Sequence, residues 1–137
     1  MVEDIRVDGS QGLLIDGNNV IGAAVAGWWR DRPGAVRLLL DRLRCYAAAT
    51  GEAVEVVFDV PQADLPEGSY DGVVVRYATR RGPNAADDRI LDILDAAKTT
   101  PMEVITSDRA LAESARRRGA LVTGAGSFLA RLSDAGC

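Results

Sequence analysis

The chain has 137 residues, of which 47% are hydrophobic and 26% charged. That suits one soluble globular domain whose core needs no staples. Its 20 acidic and 16 basic residues leave a formal charge of -4, so bulk charge does not favour a polyanionic partner. Histidine is absent and no stretch reaches 18 apolar residues, which excludes zinc–histidine sites, Ser-His-Asp triads and a membrane-spanning helix.

Residues 1–11 mix charge and glycine without periodicity and read as a flexible leader, although Ile5 to Val7 could extend a sheet edge. Glu3 and Asp4 stand where a signal peptide would be basic, so the expected compartment is the cytoplasm. Gly12 to Asp16 (GLLID) reads as a buried strand running into a turn, with Gly17 free to take positive φ. Small apolar residues follow from Gly22, then Trp28, Trp29 and Arg30; packing on the core is expected for at least one of the tryptophans. Pro33 suits a helix's first turn. Val36, Leu39, Leu40, Leu43, Tyr46 and Ala47 then recur at helical spacing until Gly51.

The valine-rich run Ala53 to Phe58 predicts a second strand, closed by Asp59. Pro61 to Ser69 reads as loop, and Gly72 to Ala78 as the third strand. A basic loop from Arg80 to Pro83 leads into a helix with Ile90, Leu91, Leu94 and Ala97 on its apolar side. Met102 to Ile105 is the fourth strand. Ser107 or Asp108 should start a helix reaching Gly119; Ala120 to Val122 is a short fifth strand, and Ser127 should cap a last helix through Leu132. Cys45 and Cys137 resemble neither a disulfide framework nor a zinc site.

Apolar strands alternating with helices need cover on both faces, which predicts a three-layer α/β/α sandwich around a mostly parallel sheet of about five strands. Such sheets bind ligands beyond the carboxyl ends of their strands. Asp16, Asp59 and Asp108 fall at those ends, and Asp87 and Asp88 open the helix after the third strand at the same edge. Carboxylates gathered there repel one another unless a cation lies among them. Oxygen-only donors suit Mg²⁺ or Mn²⁺, ions that activate water and stabilise charge on a phosphoryl group.

Each acid also has a plainer role. Asp59 can form a turn, Asp108 can cap a helix, and Asp87 and Asp88 suit a helix N-terminus on dipole grounds. Asp16 is the exception, since a charge ending an apolar strand is costly without a partner. Asn18 and Asn19 would shape the turn or orient substrate. Thr106 and Ser107 could bind a carboxylate or phosphate, or cap a helix. Arg80, Arg81 and Arg109 are placed to meet phosphate, with Arg30 and Arg32 in a nearby loop. Arg116, Arg117 and Arg118 lie at a helix C-terminus, away from the crevice, where dipole compensation accounts for them.

The segments LLIDGNNVIG (Leu13 to Gly22), VVFD (Val56 to Asp59), AAD (Ala85 to Asp87) and VITSDR (Val104 to Arg109) occur in this order. Together they resemble the NYN domain of the PIN-like nuclease superfamily, in its YacP-like branch, over Leu13 to Leu132. The resemblance implies a PIN-like fold, an acidic site for Mg²⁺ or Mn²⁺, and endoribonuclease cleavage of RNA by a metal-activated water. It implies metal-binding and catalytic roles for Asp16, Asp87 and Asp108, with Asp59 closing its strand as a further ligand. Asn19 matches the asparagine of the DGxN pattern. The chain departs from the family pattern in two places: Asn18 stands where tyrosine is frequent, and Pro83 and Asn84 occupy a stretch that often carries an acid, leaving Asp88 to replace it as a ligand.

A short chain without a basic appendage would draw extra RNA affinity from a homodimer or an RNA-processing partner. The competing expectation is a degenerate nuclease, a non-catalytic RNA-binding or interaction module. A receiver domain fits poorly, since Lys98 is at a helix end, and a haloacid-dehalogenase phosphatase would need a second aspartate at Asn18.

Overall fold

A computed structural model describes residues 12–97 and 101–137. The expected leader, with Ile5 to Val7, and Lys98 lie outside the described residues. Six strands form one sheet: β1 (Gly12–Asp16), β2 (Val54–Phe58), β3 (Gly68–Tyr70), β4 (Val73–Tyr77), β5 (Met102–Ile105) and β6 (Leu121–Thr123). Their spatial order is β3-β4-β2-β1-β5-β6, and every pairing is parallel except β3 with β4. The helices are α1 (Gly17–Ala24), α2 (Arg32–Thr50), α3 (Ala85–Ala96), α4 (Arg109–Arg117) and α5 (Ala125–Asp134).

Strand alternation divides the core. Leu13, Ile15, Val54, Val56, Phe58 and Ile105 pack on one face beneath α1, α2 and α5. Leu14, Val57 and Val104 point the other way, beneath α3 and α4. This is the expected α/β/α sandwich, with one more strand than the expected five. The addition is β3, which lies in the segment read as loop and adds antiparallel to the outside of β4. Both edges of the sheet, β3 and β6, are only three residues long.

Pro33 sits in the first turn of α2 and Gly51 ends it at φ 74°. The short helix α1 replaces the predicted turn after Asp16. Gly17 does not take positive φ; it is needed because a Cβ there would stand 2.6 Å from the Phe58 ring. The last helix starts two residues before Ser127, and Ser107 Oγ accepts its first N–H, from Ala125, at 2.8 Å. Trp28 packs partly on the core while Trp29 stays exposed.

The cysteines overturn their sequence reading. Cys45 on α2 and Cys137 form a disulfide with Cα atoms 5.7 Å apart, across 92 positions of sequence. Arg42 Nε donates to the Cys137 carbonyl at 3.0 Å beside it. Among the described residues no helix is long and apolar enough to cross a membrane.

Candidate functional site

The chain leaves β1 for β2 on one side and reaches β5 on the other, so the strand order reverses around β1. Such a reversal opens a crevice at the carboxyl edge. Alternation in β1 aims Asp16 to the α3–α4 face, where it is 6% exposed. The same alternation beyond β5 brings Thr106, 1% exposed, to that face. The Thr106 hydroxyl donates to Asp16 Oδ2 at 2.8 Å and accepts the Asp108 N–H at 3.1 Å.

Adjacent asparagines brace the crevice on both sides. Asn18 Oδ1 accepts the Asp59 N–H at 2.8 Å, holding the end of β2. Asn19 Oδ1 accepts the Ser107 N–H at 2.8 Å, holding the segment after β5. Ser107 Oγ is itself engaged by the first N–H of α5. Sequence reasoning placed these residues at the edge but had no signal for which backbone groups they hold.

The electrostatics single out Asp16. Burial pushes its carboxyl up to about 7; the Thr106 hydrogen bond works against that, and repulsion from Asp87, Asp59 and Asp108 adds to it. Asp87, in the first turn of α3, is pushed up to about 6 by burial, then by Asp108, Asp59 and Asp88. Burial also raises Asp59, with Arg32 opposing. Among the described residues no ion pair involves Asp16, Asp59, Asp87 or Asp108. Asp88 differs: it pairs with Arg80 at 2.6 Å on the surface. Of the two caps left open by the sequence, Asp108 is the one that caps α4, its Oδ1 accepting the Leu111 N–H at 2.9 Å.

The structure therefore brings Asp16, Asp59, Asp87 and Asp108 within electrostatic reach of one another and commits Asp88 and Arg80 to each other. The donors are all oxygens and carry excess negative charge, opposed at Asp59 by Arg32, which suits a hard divalent ion. Yet among the described residues no three acidic or cysteine side chains stand together in a ligating arrangement. Asp16 and Asp87, the two carboxyls raised furthest, are the residues that could hold such an ion.

A cleft flanks the acids on each side. One, of about 520 Å³, is lined by Asp59, Val60, Thr79, Arg32 and Arg81 at the ends of β2 and β4. The other, of about 510 Å³, is lined by Thr106, Ser107, Arg109, Glu113 and Arg116 beside β5 and β6. Arg116 thus faces a cleft instead of lying clear of the site. The signal was available: Arg109, Glu113 and Arg116 recur at helical spacing on one side of α4.

An acid-lined crevice at the reversal of a mostly parallel, helix-sandwiched sheet defines a PIN-like domain. The chain belongs to the YacP-like NYN domain family, whose model matches residues 13–136. It is similar to two solved structures of Rae1 (YacP) from Bacillus subtilis. The W164L mutant superposes with a TM-score of 0.73 at 28% identity, covering 92% of this chain and 77% of that one. The other Rae1 structure gives a TM-score of 0.71 at 28% identity, with coverages of 90% and 74%. No curated protein matches the chain.

Proposed function

We propose that this domain binds RNA across the carboxyl edge of its sheet and hydrolyses a phosphodiester bond there with Mg²⁺ or Mn²⁺. The observation that carries the reading is Asp16, a buried carboxylate ringed by Asp87, Asp59 and Asp108 and without an ion-pair partner among the described residues. Asp16 and Asp87 would hold the ion, with Asp108 and Asp59 as outer acids. When bound, such an ion lowers the pKa of a water and stabilises charge on the phosphoryl oxygens.

The chain's own residues orient the reactants. Thr106 holds one oxygen of Asp16, Oδ2, and leaves Oδ1 without a hydrogen-bond donor among the described residues. Asn18 and Asn19 keep the segments carrying Asp59 and Asp108 in register with Asp16. Arg81 and Arg109 are the nearby donors for phosphate, and Asp88 acts by holding Arg80.

A second reading, RNA binding without cleavage, is favoured by the lack of any three ligating side chains in register among the described residues and by the commitment of Asp108 to its helix cap. One assay separates the two. Labelled single-stranded RNA is incubated with purified protein, with Mn²⁺, Mg²⁺ or chelator, beside Asp16→Asn and Asp87→Asn. Metal-dependent cleavage lost by a hundredfold or more in both variants supports hydrolysis. Binding by wild type without cleavage in either metal supports the second reading, and the absence of both activities overturns both.

Running the binding titration across protein concentrations tests whether a homodimer adds affinity; adding RNA-processing proteins tests the other proposed partner. We place this activity in the cytoplasm, where RNA is at hand. Disulfides are uncommon there, so the redox state of Cys45 is a variable to measure.

A further inference from the structure

Most arginines away from the crevice are already neutralised. Arg37 pairs with Asp64, Arg44 with Asp71, Arg76 with Glu55, Arg118 with Asp95 and Arg131 with Glu103. Even Arg80, at the edge itself, is held by Asp88. Arg32 and Arg81 in one cleft, and Arg109 and Arg116 in the other, have no ion-pair partner among the described residues. All four are exposed. Arg32 also lies over the Trp28 ring, 4.9 Å from its centroid, which holds the guanidinium near Asp59.

Arg30, Arg42 and Arg117 are unpaired too, but four of these seven arginines among the described residues line the two clefts, a pair on each side of the carboxylates. The cleft beside β2 and β4 is separated from the one beside β5 and β6 by β1, which carries Asp16. Three steps of about 4.8 Å separate the middle of the β2–β4 cleft from that of the β5–β6 cleft, so their centres lie about 14 Å apart across the sheet. One anionic group cannot fill both. A chain of phosphates can, with its middle passing over the acids.

We infer that a single RNA strand lies across the whole carboxyl edge, its phosphates held on one flank by Arg32 and Arg81 and on the other by Arg109 and Arg116. The inference rests on the proposed RNA reading and deepens it. The strand is engaged internally, with nucleotides on both sides of the acids. Arg80 contributes by shaping its loop, since its charge is met by Asp88.

The test compares Arg32→Gln/Arg81→Gln, Arg109→Gln/Arg116→Gln and the control Arg37→Gln/Arg118→Gln, which removes the same charge elsewhere. Binding of single-stranded RNA is measured in chelator over a salt series, with short and long oligonucleotides. Each cleft pair should lower the salt slope by about 1.4, from about 0.7 per phosphate contact on single strands. Each should also abolish the gain in affinity that wild type shows when the oligonucleotide becomes long enough to cover both flanks. The control should match wild type. If wild type binds RNA and either cleft pair behaves like the control, the two-sided path is wrong while the proposed function stands. Wild type that binds no RNA overturns the proposed function and this inference with it.

Discussion

Thr106 and Asp16, 90 positions apart in sequence, meet in the buried crevice through a hydrogen bond of 2.8 Å. The same hydroxyl accepts the Asp108 N–H, so one small side chain sets both the orientation of the most perturbed carboxylate and the start of α4.

Thr106→Val should therefore act twice. It removes the one hydrogen bond that lowers the Asp16 pKa and leaves the Asp108 N–H without its acceptor. We expect a loss of about 1–3 kcal/mol in urea unfolding. A carboxyl titration followed by NMR should move Asp16 further up. Thr106→Ser should restore both readouts, and a Val variant matching wild type in both would contradict the role assigned to the hydroxyl.

Stability should fall as pH rises towards neutrality. A carboxyl whose folded pKa exceeds its unfolded one binds its proton more tightly in the native state, so its contribution is lost between the two values. For Asp16 that window runs from its ordinary 3.8 to about 7, and for Asp87 from 3.8 to about 6. Glu67 and Glu103 are lowered instead, so their contributions change below their ordinary 4.5. The interval from pH 5 to 7 then reports on Asp16 and Asp87, with the raised Asp59 acting in the same direction. Thermal melts should show a midpoint dropping across it, and Asp16→Asn should flatten the drop. A wild-type midpoint rising from pH 5 to 7 would contradict the assigned shifts.

Asn19 offers a sharper contrast. Asn19→Ala frees the Ser107 N–H and should cost about 1–2 kcal/mol. Asn19→Asp keeps an acceptor but adds charge beside Asp16. It should hold its stability near pH 5 and lose it near pH 8, as read in parallel denaturation curves. Equal losses at both pH values would mean that added charge is not felt at the crevice.

Reduction should expose how much the bridge contributes. A disulfide closing about 90 residues of chain stabilises by up to about 4–5 kcal/mol in the chain-entropy account. Cys45→Ser, and wild type in reductant, should show the same loss in urea unfolding. A wild type indifferent to reductant would mean that the Cys45–Cys137 bridge adds no stability.

Glu113 is the acidic side chain lining the Arg109 cleft. Glu113→Gln should tighten RNA binding several-fold at low salt and less at high salt, where exposed charges are screened. Unchanged affinity at low salt would place the RNA elsewhere.

Much of the architecture was legible because local signals agreed with tertiary ones. Apolar GLLID could only be a buried strand, Pro33 and Gly51 bracketed α2, and Met102 to Ile105 proved to be β5 residue for residue. Helix α1 was missed because Gly17, Asn18 and Asn19 are turn formers by propensity, and packing against Phe58 overrides that preference. Strand β3 was missed because Gly68, Ser69 and Tyr70 carry no strand pattern and are ordered by pairing with β4. The disulfide depended on a spatial approach that no spacing encodes.

At the site, the acids were found by position relative to strand ends. Their brace of asparagine and threonine contacts was not, since a hydrogen bond between residues 90 positions apart leaves no mark on either local stretch.

The two three-residue edge strands bear on self-association. Each presents little unpaired backbone ladder, so another copy gains few main-chain hydrogen bonds by docking sheet to sheet. Pairing from edge to edge is therefore a poor route to self-association, and the fold guards its sheet against such growth by brevity alone.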